Sequence, residues 1–262
     1  MPEFSPDMHI IGTGIACADP EFLPRFGITD TGIATDLLPP MLRRRTSQAT
    51  RISIAAAARA CEAANISPKD IPSVFVSVAG EIQITDKLCR NIAREEFPLS
   101  PTQFHNSVHN TAIGYWSIIT GNTHPAQAMG AAEDSLAMGL LEAWAQLQCG
   151  AEHVLLVCYD ENTPEPMWPD NRQASLATAF VLSRTKTLQT NITISRPQTG
   201  TAPIELDIPV SDTPMAIALP LFIVAQNLDR APERIPVCVG TSDGNTSAQI
   251  NASAQFVSVS HA

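Results

Sequence analysis

The residues best placed to do chemistry lie in one short turn, Ala131-Ala132-Glu133-Asp134-Ser135. The surrounding stretch, Phe104 to Glu161, reads as helix, short strand, tight turn, long apolar helix and strand. A turn in that setting is where such an arrangement usually presents a reactive side chain. Here it offers an acid, neither a thiol nor an activated hydroxyl. The expectation is a catalytic framework without its nucleophile, with Glu133 or Asp134 capping the next helix.

Other candidate chemistry is weaker. His105 and His109 are four apart, as in a helical metal pair, but no acid lies between them in an HExxH pattern, and the segment reads as a strand end turning into a helix at Asn110. No metal site is expected; His109 and Asn110 are assigned to structural hydrogen bonds. Gly240-Thr241-Ser242-Asp243-Gly244 spells GxSxG after the apolar run Ile235 to Val239, the context of a hydrolase nucleophile elbow. Only His261 comes later to complete a triad, so a plain turn is expected. Gly12-Thr13-Gly14 lacks the third glycine of a dinucleotide fingerprint. The six cysteines form no CxxC pair, which argues against a zinc site or a disulfide framework.

These residues must be positioned by a fold large enough to hold them. The chain has 262 residues, 44% of them hydrophobic, enough for a substantial core in one large domain or two small lobes. A net charge of -10 provides no electrostatic footprint for nucleic acid. The one basic cluster, Arg43-Arg44-Arg45 with Arg51 nearby, leaves two readings open: a solvated or ion-paired face, or a docking patch for an acidic partner. The amino terminus lacks the pattern of a signal peptide, and the longest apolar stretch, Met215 to Ala225, is broken by Pro220 and falls short of the about 20 residues that span a bilayer. A cytoplasmic protein without a membrane span is expected.

Strand-like runs at His9–Ala16, Ser73–Ala79 and His153–Tyr159 alternate with helical patterns at Ser47–Ala64 and Ile84–Glu96, which implies a layered α/β sheet. The helix from about Asp134 to Gln148 has little polar face and is expected to be buried between layers. Ala177–Ser183 and Gln189–Ser195 read as paired strands, flanked by the proline-rich connectors Thr163–Arg172 and Thr199–Pro214. Residues 1–239 form the expected domain and 240–262 a weakly patterned tail, disordered in part.

Several separated blocks together resemble a known family: Leu38-Pro39-Pro40-Met41-Leu42-Arg43-Arg44-Arg45, Thr50-Arg51 opening an Ala-rich helix, Ser100-Pro101-Thr102, Ser107 to Gly114, Gly130 to Ser135, and Cys158-Tyr159-Asp160-Glu161. In this order they are similar to the β-ketoacyl synthase-like chain length factors of bacterial aryl polyene clusters, over about residues 8 to 230. The resemblance implies a thiolase-like ketosynthase fold in a shortened α-β-α form, mainly its amino-terminal half. In active members a cysteine sits at the turn, where helix dipole and backbone amides lower its pKa. That position falls at Glu133, within about one residue, with Asp134 and Ser135 beside it. The catalytic histidines of the carboxy-terminal half have no counterpart, His261 being the one late histidine.

The resemblance therefore implies a non-condensing subunit that forms a heterodimer with a catalytic β-ketoacyl synthase and helps to shape the tunnel in which a polyene grows on the phosphopantetheine arm of an acyl carrier protein. No cofactor is implied. The dimer face would run from Thr120 to Gly130 with Thr111–Ile119 beside it, so His109, Asn110, Tyr115, Trp116, Met129 and Met138 are the interface or tunnel candidates, Phe104 being assigned to the core. Arg43, Arg44, Arg45 and Arg51 are the carrier-docking candidates. The alternative is a free-standing thiolase-fold enzyme, such as a degenerate ketosynthase, a malonyl decarboxylase using the Glu133 turn, or a hydrolase using Ser242. The apolar face left by a missing lobe should be covered by residues 176–230 or by the partner.

Overall fold

The structure, a computed structural model, describes residues 5, 7–29, 32–33, 37–165, 167, 174–190, 192–199, 213–226, 234–237 and 255–261. In chain order the elements are β1 (Asp7–Cys17), α1 (Pro40–Arg43), α2 (Gln48–Ala63), β2 (Ser73–Val76), α3 (Ile82–Ala93), α4 (Pro101–His105), α5 (Thr111–Thr120), β3 (Ala126–Met129), α6 (Ser135–Gln148), β4 (His153–Asp160), β5 (Leu176–Ser183), β6 (Ile192–Ser195), β7 (Gln198–Thr199), α7 (Leu219–Gln226), β8 (Arg234–Pro236) and β9 (Gln255–His261). The strands form a mixed sheet ordered β3-β2-β4-β5-β1-β6-β9-β7, with β8 also paired to β9.

The three strands β3, β2 and β4 are parallel and the rest of the ladder is antiparallel. The parallel strands are joined by helical crossovers, as parallel pairing requires. Each sheet face carries its own core. On one side α2 and α5 pack over Phe75, Leu155, Val157, Tyr159 and Val181. On the other, α6, α7 and the 3₁₀ turn Pro214–Ala218 cover Val74, Val76, Leu156, Phe180 and Leu182. Strands buried on both faces explain why β4 and β5 read as continuous apolar runs rather than as alternating ones.

The Ala-rich face of α2 has a structural cause. A Cβ added at Gly14 would stand 2.1 Å from the Ala56 carbonyl oxygen, and one at Gly12 2.5 Å from that of Ala60. The two glycines of β1 let the helix lie directly on the strand, which is their role in place of cofactor binding.

Several expectations change. Ala177–Ser183 and Gln189–Ser195 do not pair: β1 runs between β5 and β6 and pairs with both, its apolar length being buried by a strand on each side. The tail is not wholly separate, because β9 joins β6 in the main sheet. Helix α6 buries one side only: Leu136, Leu140, Ala143 and Leu147 are inside, whereas Met138, Leu141, Trp144 and Ala145 are at most half-buried, since the described residues supply one packing layer there. Residues 214–226 do cover part of the sheet face, within the range 176–230. The GxSxG sequence and the connector 200–212 lie outside the described residues.

Candidate functional site

Among the described residues strand β3 is one edge of the sheet, and it is half-buried to exposed along its length. Ser73 and Ser77 of the neighbouring chain segment donate through their backbone N–H groups to the carbonyls of Pro125 and Met129. The alternation along a strand then turns the N–H and C=O of Ala126 and Ala128 outward, to the open side. Immediately after β3 the chain reverses through a 3₁₀ turn, Ala132–Asp134, into α6. Ala132 takes a left-handed backbone (φ 48), a conformation a non-glycine residue adopts only where its surroundings impose it. The strained residue of the turn is thus Ala132, one position before Glu133.

The cap differs from the expected one. Asp134 stands at the N-cap of α6 without a side-chain hydrogen bond, and Glu133 is exposed. Ser135 closes the turn instead: its Oγ accepts from the Ala131 N–H (2.9 Å) and donates to the Ala132 carbonyl (2.7 Å). Both acids lie within the 3₁₀ turn, Glu133 facing solvent, while the buried serine reaches back to the turn's own amide and carbonyl. Glu133→Ala should therefore leave stability within about 0.5 kcal/mol of wild type. Ser135→Ala should cost about 1–2 kcal/mol by leaving a turn amide without its acceptor; thermal unfolding of the two variants checks both.

Behind the turn lies a group of buried carboxyls that composition alone did not reveal. Asp160, at the end of β4, accepts from Ser77 Oγ (2.6 Å), Val78 N (3.0 Å) and Ala79 N (3.1 Å). Glu161 accepts from Gln83 N (3.1 Å) and Ala49 N (3.3 Å), and Glu81 from Thr50 Oγ1 (2.7 Å). Burial pushes Asp160 up to about 6 and Glu161 up to about 7, the latter with help from Glu81, and raises Glu81 as well. The second oxygen of Glu81 is buried without a partner. Burial also raises the phenol of Tyr159, and Glu81, Asp160 and Glu161 add to the effect. The signal available in the sequence was the pair of acids ending an otherwise apolar strand.

The other predicted residues separate into core and surface. Trp116 is fully buried, 6.3 Å from Phe75, so it is a core residue rather than an interface anchor. Phe104, expected in the core, is 67% exposed on α4. Tyr115 is half-buried and its hydroxyl donates to Asn106 Oδ1 (3.3 Å). Met129, at the end of β3, and Met138, on α6, are half-buried against the core. His105 is exposed at the end of α4, and His109 turns inward with its Nε2 3.1 Å from the Ser77 carbonyl, so the two do not form a pair. The segment between them is a turn joining two helices rather than a strand end. Among the described residues no cluster of His, Cys, Asp and Glu could hold a metal.

Two open grooves flank α5. One, of about 550 Å³, is lined by Leu42, Arg45, His105, Val108, Tyr115 and Ile118, among others. The second, of about 350 Å³, lies between α5 and β3 and includes Asn110, Ile113 and Gln127. Asn110, exposed, borders both. Arg43, Arg44 and Arg45 are exposed next to the larger groove. Arg51 is half-buried, and its Nε donates to the Ser47 carbonyl (3.1 Å) at the start of α2. No helix among the described residues is long and apolar enough to cross a membrane.

No curated protein is detectably similar in sequence. The fold, however, matches solved structures. A chain of the ketosynthase–chain length factor complex from Xenorhabdus doucetiae superposes with a TM-score of 0.64 at 20% identity, covering 95% of this chain and 98% of the other. A β-ketoacyl synthase from Burkholderia phymatum gives 0.59 at 10% identity, over 78% and 67%. The ishigamide ketosynthase/chain length factor gives 0.57 at 13% identity, over 84% and 72%. At these identities the likeness is one of fold, the thiolase-like ketosynthase fold in its amino-terminal half. The family model described as β-ketoacyl synthase, N-terminal domain, matches residues 22–217, a span that contains the β3 edge, the strained turn and the carboxyl group behind it; the chain belongs to that family.

Proposed function

We propose that this chain is a non-condensing chain length factor that pairs with an active ketosynthase and shapes the elongation tunnel for an acyl chain carried by an acyl carrier protein, in polyene synthesis of the aryl polyene type. One observation carries the reading: the strand–turn–helix elbow is built, with its left-handed residue, yet the residues from 131 to 135 include no thiol, and their one hydroxyl is committed to two backbone hydrogen bonds. A ketosynthase condenses through a covalent thioester, which a carboxylate or methyl group cannot replace. The open β3 edge and the apolar grooves beside α5 support partner binding, an exposed sheet edge being a ready template for another strand. Exposed Arg43, Arg44 and Arg45 support contact with an acidic carrier. The Xenorhabdus structure, a ketosynthase in complex with its chain length factor, supports the same assignment.

The test is coexpression with the ketosynthase encoded nearest to it. A complex that survives purification, and a lone chain that turns over neither acyl nor malonyl thioesters, is the expected result. Ala128→Pro removes an outward N–H without touching the ladder to β2 and should abolish the complex, because proline is tolerated at a sheet edge but cannot donate. A lone chain that processes thioesters and binds no ketosynthase would overturn the proposal in favour of a free-standing enzyme.

A further inference from the structure

Every polar atom of Ser77 is engaged. Its N–H donates to the Met129 carbonyl (3.2 Å), its own carbonyl meets His109 Nε2 (3.1 Å), and its Oγ donates to Asp160 (2.6 Å) while accepting from Gly80 N (2.7 Å). Because a carbonyl can only accept, the His109 nitrogen that faces it carries the hydrogen. The imidazole fills a slot between two glycines. A Cβ at Gly130 would lie 3.1 Å from Nε2 and 2.7 Å from the Ser77 oxygen, and one at Gly80 3.1 Å from Cδ2. Tyr159 holds the same residue from inside, its hydroxyl donating to the His109 carbonyl (3.4 Å). A continuous set of contacts thus runs from buried Asp160 through Ser77 and His109 to Gly130, the residue that joins β3 to the strained turn.

We infer that His109 is a positioning residue: its imidazole, seated on Ser77 and Asp160, sets where the β3 edge and the Gly130–Ala132 turn lie relative to the sheet, and so presents the edge to a partner strand in one geometry. The inference rests on the reading of β3 as the docking edge. The two glycines leave room for the ring, although each has a further cause: Gly80 has a left-handed backbone (φ 60), and a methyl at Gly130 would meet the Ser77 carbonyl first.

His109→Gln and His109→Leu separate this role from simple packing, since the Gln amide can place an N–H where the imidazole Nε2–H lies and Leu cannot. Three quantities are compared: the dissociation constant for the purified cognate ketosynthase, the melting temperature, and hydrogen exchange at the amides of residues 129–132 in the chain alone. Leu is expected to weaken association about tenfold or more and to accelerate exchange at 129–132 by a similar factor, with Gln restoring both to within about threefold of wild type. If Leu does not fold, His109→Asn, too short to reach the Ser77 carbonyl, should show the same losses. Leu or Asn variants whose affinity and exchange equal wild type, whatever their melting temperature, would overturn the inference. If wild type binds no ketosynthase while the exchange pattern changes as described, the docking reading fails and the positioning of the turn by His109 stands.

Discussion

Gly14→Ala is expected to destabilise the protein by about 3 kcal/mol or more, and the Gly12→Ala, Gly14→Ala double variant should not accumulate as folded protein. The argument is one of distance. The new methyl at position 14 would stand 2.1 Å from the Ala56 carbonyl oxygen and 2.6 Å from the Ala60 nitrogen, and both are backbone atoms inside a helix. No rotamer change relieves such a contact; α2 must lift from β1 along its whole length. Lifting it opens the core in which Ala49, Ala56, Ala57 and Ala60 lie against the sheet with no exposure. Chemical denaturation of Gly14→Ala beside wild type measures the loss. A change below about 1 kcal/mol would mean that α2 does not rest on β1 as described.

The second large effect concerns pH. Glu161 ionises near 4.5 when unfolded and near 7 when folded, because its burial beside Glu81 opposes the charge. An acid raised in this way favours the folded state fully below about pH 4.5, and that contribution disappears as pH rises through 7, since the folded protein holds a proton the unfolded chain has released. The difference for this group is of order 3 kcal/mol. Asp160, raised from 3.8 to about 6, acts in the same direction at slightly lower pH, and the two are coupled, so their contributions are not additive. Urea unfolding at pH 5 and pH 8 should find the protein less stable at pH 8. Glu161→Gln should carry a fixed penalty at both pH values, because Gln keeps only one oxygen to accept from Ala49 N and Gln83 N, yet it should flatten the dependence by about half. An unchanged slope in that variant would assign the effect elsewhere.

Much of the architecture was legible because it repeats along the chain. The apolar runs of β2 and β4 and the Ala-rich period of α2 are local patterns, and they fold as strands and helix as read, β2 ending at Val76 rather than at Ala79. The strands read as a pair, Ala177–Ser183 and Gln189–Ser195, failed because pairing in a sheet is a non-local choice: β1, at the far end of the chain, enters between them. Trp116 and Phe104 exchanged their expected places for a similar reason. Residue type says that an aromatic ring is large and apolar, but only the packing of α5 against Phe75 decides which ring goes inside.

The turn shows the same division at closer range. Sequence by itself determined that residues 131 to 135 carry acids and small side chains and no thiol, which is a statement of composition at a place marked by its neighbours. It could not say that Ala132 bears the backbone strain, that Ser135 rather than Glu133 or Asp134 satisfies the turn, or that Asp160 reaches it through Ser77 and His109. Those arise from the approach of β2, β4 and the turn before α5, segments separated by dozens of positions in the chain. A buried carboxyl takes whatever donors surround it, since leaving it unpaired costs more than any local preference supplies. Which donors those are is set when the sheet assembles, and for this reason the chemistry of the turn is local while its geometry belongs to the tertiary structure.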